Sequence, residues 1–271
     1  MLVEVVVGIA ASSLALLSDA GHMLTDAAAI ALALFAARVA KRRAGGSWTF
    51  GFRRVEILSA QINGLTLLLL AAYVFYEGIR RLIDPPAVDG SFVLVVAVLG
   101  AFVNLGAALA LSRANRGKLN IEGAFQHNLY DLYSSIATAI AAGVIIATGY
   151  YRADAIASLV IAIPMTRSGV SLLLASSRVL LEAAPVGMKP DEIGAALAAE
   201  DGVVEVHDLH VWEVTSGFPA LSAHVTVKPD ADCHGVRRQL AVLLKERFDI
   251  EHTTLQVDHA HRSELLTLEG S

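Results

Sequence analysis

Cysteine is nearly absent: the 271-residue chain contains one, Cys233. No disulfide can form within the chain, and no thiolate cluster can be built from a single copy. A disulfide-stapled secreted scaffold is therefore excluded and a soft copper(I) site is disfavoured. Charge is scarce too. Charged residues make up 17% of the sequence, against about 25% in average soluble domains. Hydrophobic residues reach 55% and mean hydropathy is +0.58. That composition excludes a disordered chain, argues against an ordinary soluble enzyme and fits a polytopic membrane protein. The few charges are unevenly spread. Residues 1–184 carry 11 acids and 14 bases, whereas residues 185–271 carry 15 acids and 7 bases. An apolar, slightly basic part is followed by a polar, acidic tail, and no strongly basic face is offered to a nucleic acid.

A spanning helix needs about 20 mostly apolar residues. Six stretches qualify, at roughly 1–17, 20–40, 56–80, 91–113, 122–148 and 153–181. The first starts at Met1 without a basic leader, which argues against a cleaved signal peptide. It is short for a crossing, which leaves room for a natural start further upstream. Lys and Arg near the helix ends set the orientation. Arg38, Lys41, Arg42, Arg43, Arg53 and Arg54, with Arg113, Arg116 and Lys118, stand on one side; Arg80, Arg81 and Arg152 stand on the other. The nine-to-three excess predicts that the first side, both termini and the tail are cytoplasmic. Pro85-Pro86 falls in an outward loop, and Pro164 predicts a kink in the sixth crossing. The absence of eukaryotic targeting features points to a bacterial plasma membrane.

The tail, residues 185–271, reads as a second domain. A short helix is expected over 191–200, strands over 203–215 and 221–227, a turn at 216–219, a helix over 234–248 and a last strand over 253–259. The order α-β-β-α-β predicts helices layered on one small sheet. About 75 residues make a small core, so pairing with a second copy would help stability.

Seven of the nine histidines lie in the tail. The other two, His22 and His127, lie in apolar segments, and each is followed four residues later by an aspartate, Asp26 and Asp131. Positions i and i+4 share a helix face. Two such helices face to face place two nitrogens and two oxygens around one point, a donor set suited to a tetrahedral divalent ion, zinc first. An Asp near the middle of a spanning helix costs roughly 2.5–3.5 kcal/mol on insertion scales, and a bound dication would balance both. The competing account is two His–Asp hydrogen bonds acting as glue between helices. Asp19, one turn before His22, is either an acceptor orienting that imidazole or a helix N-cap. Asn63 and Asn104 read as helix-to-helix hydrogen-bonding residues. Glu56 is an interface charge or an entrance residue, Asp154 reads as the cap of the sixth crossing, and Gln126 and Asn128 face other helices.

Residues 14–26, Leu-Ala-Leu-Leu-Ser-Asp-Ala-Gly-His-Met-Leu-Thr-Asp, resemble the second-helix signature of the cation diffusion facilitators. Residues 48–58 resemble their third-helix start, and 207–212 and 254–258 are similar to motifs of their cytoplasmic domain. The resemblance spans nearly the whole chain. It implies a homodimer with six spanning helices per protomer, a ferredoxin-like cytoplasmic domain, and export of zinc, or of cadmium or cobalt, in exchange for protons. The implied transport site is His22, Asp26, His127 and Asp131, a two-His, two-Asp set of the zinc and cadmium type. Members that carry manganese or iron tend to have Asp or Asn in place of the histidines. Zinc is implied at the cytoplasmic dimer interface as well, with His207, His224, His234 and Asp258 as the matching ligands and Asp232-Cys233-His234 as a further source. His207 and His210, three apart in a strand, are expected on opposite faces. Three departures stand out: no His-rich leader, no histidine over 112–120, and Asn128, Tyr130 and Tyr133 in place of small apolar residues.

Two other functions compete with transport. An intramembrane metalloenzyme would keep three protein ligands and a water, but no H-E-x-x-H motif is present and four protein ligands close the site. A membrane-anchored metal sensor with a zinc-binding tail would not need four polar ligands inside its spans. No organic cofactor is called for. If His22 selects the ion, His22→Asp should widen the accepted range toward manganese and iron, since oxygen ligands suit harder ions. Transport competition with manganese checks this, and an unchanged zinc preference would remove His22 from the selecting ligands.

Overall fold

The computed structural model describes residues 2–112 and 119–260, without the side chains at 119–124, 126 and 127. The sequence expectations for Arg113, Arg116, Lys118 and His261 fall outside the described residues. Six helices come first: α1 (Leu2–Ala10), α2 (Leu14–Ala40), α3 (Val55–Ile83), α4 (Gly90–Ser112), α5 (Leu119–Thr148) and α6 (Arg152–Leu180). Among the described residues, α2, α3, α4, α6 and the stretch Asn128–Thr148 of α5 are long and apolar enough to cross a membrane. Their large side chains face outward. Phe92, Val95, Leu99, Phe102 and Val103 of α4 are all more than half exposed, a surface that only lipid can cover without cost. Pro164 sits inside α6, which continues through it.

The break between the first two helices comes earlier than the expected boundary at 17–20. Ser12 adopts φ 55° and α2 begins at Leu14. The reason lies on α6. Asp154, only 1% exposed, accepts hydrogen bonds from Ser13 Oγ at 2.5 Å, Leu14 N at 2.6 Å and Ala15 N at 3.4 Å. These are the amides that a helix start leaves without partners. Asp154 therefore caps α2 from a distance, not the sixth crossing as its position suggested. Arg81 reinforces the turn by donating to Ser12 O at 2.6 Å while held by Glu77 at 3.0 Å.

α3 and α6 meet backbone to backbone. A Cβ at Gly64 would lie 3.0 Å from Gly169 O and from the Leu172 Cβ, and one at Gly169 would lie 2.8 Å from Leu68 Cγ. Any larger residue at either position would force the helices apart.

The chain divides into two compact units, one holding the residues up to Phe35 with Ser59–Leu174, the other Ala36–Leu58 with Ala175 onward. The second unit contains α7 (Pro190–Ala198), β1 (Val203–Thr215), β2 (Phe218–Val227), α8 (Cys233–Phe248) and β3 (His252–His259). The α-β-β-α-β order is as expected, except that Phe218 and Pro219 belong to β2 and not to the turn. β2 is central, antiparallel to β1 and parallel to β3. Leu221, Ala223, Val225 and Val227 alternate onto one face, where Ile193, Leu197, Val236, Leu240 and Leu244 of the helices cover them. Asp232 caps α8 by accepting from His234 N at 3.1 Å. The nearby amide of Gly235, with Arg238, holds the Asp232 carboxyl below its usual range. Within this unit the 45–54 loop lies beside the sheet: Thr215 Oγ1 donates to Arg53 O at 3.2 Å, and the Arg53 guanidinium sits 4.6 Å above the Phe218 ring.

Removing the buried acceptor should leave two α2 amides and a hydroxyl without partners. Asp154→Ala is expected to lower stability by about 1–3 kcal/mol, read as a lower thermal midpoint in detergent, with Asp154→Asn recovering only part because its amide keeps one acceptor oxygen.

Candidate metal centre

The four residues expected to bind a metal sit on α2 and α5. The clearest link between these helices is a hydrogen bond from Ser134 Oγ to Asp19 Oδ1 at 2.5 Å, with both residues buried. Asp19 stands well inside α2, so it is not an N-cap; the helix start is at Ser13. Its partner is Ser134.

This bond sets a register with consequences. Toward the cytoplasmic end of α2, His22 and Asp26 lie three and seven residues from Asp19. Toward the opposite-running start of α5, Asp131 and His127 lie three and seven residues from Ser134. Spacings of three, four and seven stay on one helix face. Counted from the bond, His22 and Asp131 each stand about one turn along their helices, and Asp26 and His127 each about two. His22 Nε2 and Asp26 Oδ2 are 3.6 Å apart, with side chains 15% and 22% exposed. Nδ1 of His22, Oδ2 of Asp26 and Oδ1 of Asp131 are buried. The backbone of His127 lies on α5, and its side chain is outside the described residues, as is that of Gln126.

His22 and Asp26 line a cavity of about 420 Å³ shared with Asn63, Tyr130, Tyr133, Ser134, Pro164 and Ser168 among others. One expectation changes here. Asn63, read as a helix-to-helix hydrogen-bonding residue, turns its side chain to this cavity, which sequence spacing could not reveal because the contact of α3 with α6 decides it. Tyr130 and Tyr133 also border the cavity. Asn104 behaves as expected, donating to Ser135 Oγ at 3.4 Å, and Asn128 donates to Asn104 O at 2.6 Å, tying α5 to α4.

In the second unit, β1 carries a bulge. His207 pairs with His224 and His210 pairs with Ser222, so Asp208 and Leu209 together oppose Ala223. Asp208 takes the left-handed φ of 51° that the bulge needs. The extra residue puts His207 and His210 on the same face, the one turned away from the helices, and corrects the expectation of opposite faces. The His207 and His224 rings are 5.5 Å apart, and Asp208 reaches His210 Nε2 at 3.0 Å and His224 Nε2 at 3.9 Å. Asp258 pairs with Thr226, which places it on this face too, where it accepts from Gln256 at 2.8 Å. His234 stands in the first turn of α8, on the helical side of the sheet, apart from the others. Among the described residues no three His, Cys, Asp or Glu side chains converge tightly enough to hold a metal ion.

Comparison with known proteins gives two family matches, the cation efflux transmembrane domain over residues 1–181 and the cation efflux protein cytoplasmic domain over residues 185–260. The chain is 36% identical over 274 residues to a cadmium, cobalt and zinc/H(+)-K(+) antiporter of Bacillus subtilis, covering 98% of this chain and 88% of the relative. It is 39% identical over 264 residues to the metal cation efflux system protein CzcD of Cupriavidus metallidurans, covering 96% and 83%. It is 38% identical over 261 residues to the zinc transporter ZitB of Escherichia coli, again covering 96% and 83%.

If the outward sheet face binds zinc, amides of β1 around the bulge should exchange more slowly in the full-length protein when zinc is added. Changing His207 and His224 to Ala should abolish that protection while flux continues. Hydrogen exchange with and without zinc reads both, and equal exchange rates would leave these histidines without a metal role.

Proposed function

The chain belongs to the cation efflux family, a family of membrane transporters and not of enzymes, and we propose that it exports zinc in exchange for protons. Its C-terminal domain lies in the cytoplasm. The proposed transport domain is 1–184 and the cytoplasmic domain 185–271. The carrying observation is the mirrored spacing about the Asp19–Ser134 hydrogen bond, which supports a common site for His22, Asp26, His127 and Asp131. Two imidazoles and two carboxylates make a tetrahedral set whose formal charge cancels that of the dication. Cadmium and cobalt fit the same donors, in keeping with the name of the relative from Bacillus subtilis, and zinc is the ion named for the relatives from both Bacillus subtilis and Escherichia coli. Those relatives are bacterial, which supports the plasma membrane of a bacterium as the location.

Proton exchange follows from the ligands. Zinc needs neutral imidazole and ionised carboxylate, so metal and protons compete for the same atoms. A site that takes up protons on the outer side releases its metal there, and one that loses them inside is ready to bind again. Movement of helices around a fixed site near the midplane would expose it to each side in turn.

We assign the cytoplasmic domain to dimerisation and regulatory zinc binding through His207, His224, His234 and Asp258, with Asp208 and His210 added by the bulge. The donors on the outward face are open to a second copy, whose ligands would complete the coordination. The ion is cargo and regulator, and no organic cofactor is required. A membrane-anchored sensor would bind zinc in its tail but move none. In proteoliposomes, wild-type protein should carry zinc against a proton gradient, and Asp131→Ala should lose at least about 100-fold in rate, because a carboxylate ligand is worth several kcal/mol. Near-normal flux in Asp131→Ala protein that still inserts would defeat the four-ligand site.

A further inference from the structure

The middle of α3 is almost wholly apolar, with Asn63 and Thr66 the polar exceptions between Gln61 and the Tyr73 turn. Thr66 satisfies itself by donating to Ile62 O at 2.9 Å. Asn63 is different. A polar side chain at such depth faces either the protein interior or a water-filled cavity, because lipid offers it no partner. Gly64 decides which. The backbone contact of Gly64 with Gly169, Leu172 and Leu173 pins that side of α3 against α6. The neighbouring residue is rotated by roughly 100° around the helix axis, away from the contact, and opens on the cavity that His22 and Asp26 line. Leu67, one turn further along the same face, continues the wall.

Position along the helices adds a direction. Asn63 is eight residues from the cytoplasmic start of α3, and Asp26 is fourteen from the cytoplasmic end of α2, about 12 Å and 21 Å along the respective axes at 1.5 Å per residue. The amide therefore stands nearer the cytoplasmic side than the carboxylate does. It is neutral, so it leaves the charge match between a dication and two carboxylates untouched. Its Oδ1 is a hydrogen-bond acceptor suited to the acidified waters carried by a metal ion, and such charge-assisted bonds are roughly twice as strong as neutral ones.

We infer that Asn63 is a further ion-contacting residue, holding a water of the incoming hydrated metal ion as it passes from the cytoplasmic side to His22 and Asp26. This rests on the transport reading above. The test is initial-rate zinc flux in proteoliposomes as a function of zinc concentration on the face bearing the cytoplasmic domain. Asn63→Leu keeps the volume and removes the acceptor; Asn63→Asp keeps the oxygen and adds a charge. Loss of a bond to a charged group predicts a KM for zinc about tenfold higher in Asn63→Leu, with the maximal rate within about twofold of wild type, the pattern of lost binding without lost chemistry. Asn63→Asp should keep KM at or below the wild-type value. Where Asn63→Leu does not assemble, as judged by its elution in detergent, Asn63→Ala replaces it with the same expectation. An unchanged KM on removing the amide overturns the inference. So does an equal loss of maximal rate in the Leu and Asp variants, which marks a packing role. Failure of the wild-type protein to move zinc, or normal flux in Asp131→Ala, would strike the transport reading instead and shows in controls that leave Asn63 intact.

Discussion

Ser134 donates its hydroxyl proton to a buried carboxylate, and the membrane part of the molecule is organised by that bond. An unanswered Asp19 among apolar helices would be costly; answered, it fixes α2 against α5 with no freedom to slide by a turn. Every spacing that matters is counted from it. His22 and Asp26 follow it along one helix, Asp131 and His127 along the other, at matching counts of three and seven residues. A slip of a single residue would rotate one set away from the other. The same logic operates at the outer end, where Asp154 of α6 answers the free amides of α2 and so decides where that helix begins.

The two halves of the molecule solve opposite problems. The helices turn their large apolar side chains outward and hold their polar groups within, in shared hydrogen bonds. The cytoplasmic layer does the reverse, with a core of Ile, Leu and Val between two helices and one sheet face, and a polar, histidine-bearing face on the other side. One chain can carry both because hydrophobic periodicity switches after α6 from long apolar helices to alternating strands.

Much of this is legible in sequence. The i,i+4 His–Asp pairs, the length of the apolar stretches and the alternation in β2 are local signals, and local signals survive without coordinates. β1 is a case in point: its bounds follow from its run of valines. What stayed hidden depends on partners remote in sequence. Asp154 looks like the cap of its own helix and serves another 140 residues away. Asn63 looks like interhelical glue until the close contact at Gly64 shows which way it must turn. The common face of His207 and His210 needs the two-against-one pairing at Ala223, which no alternation pattern announces.

The bulge in β1 also bears on how this domain can change length over evolution. Strand faces alternate with a period of two, and the surplus residue opposite Ala223 is taken up without turning over the stretch of β1 on either side. Loss of either Asp208 or Leu209 would leave a plain ladder, with His207 still opposite His224, His210 still opposite Ser222 and every other residue of β1 on its present face. A gap of one codon there is thus absorbed by the sheet, whereas a gap in a regularly paired part of β1 would turn one stretch over.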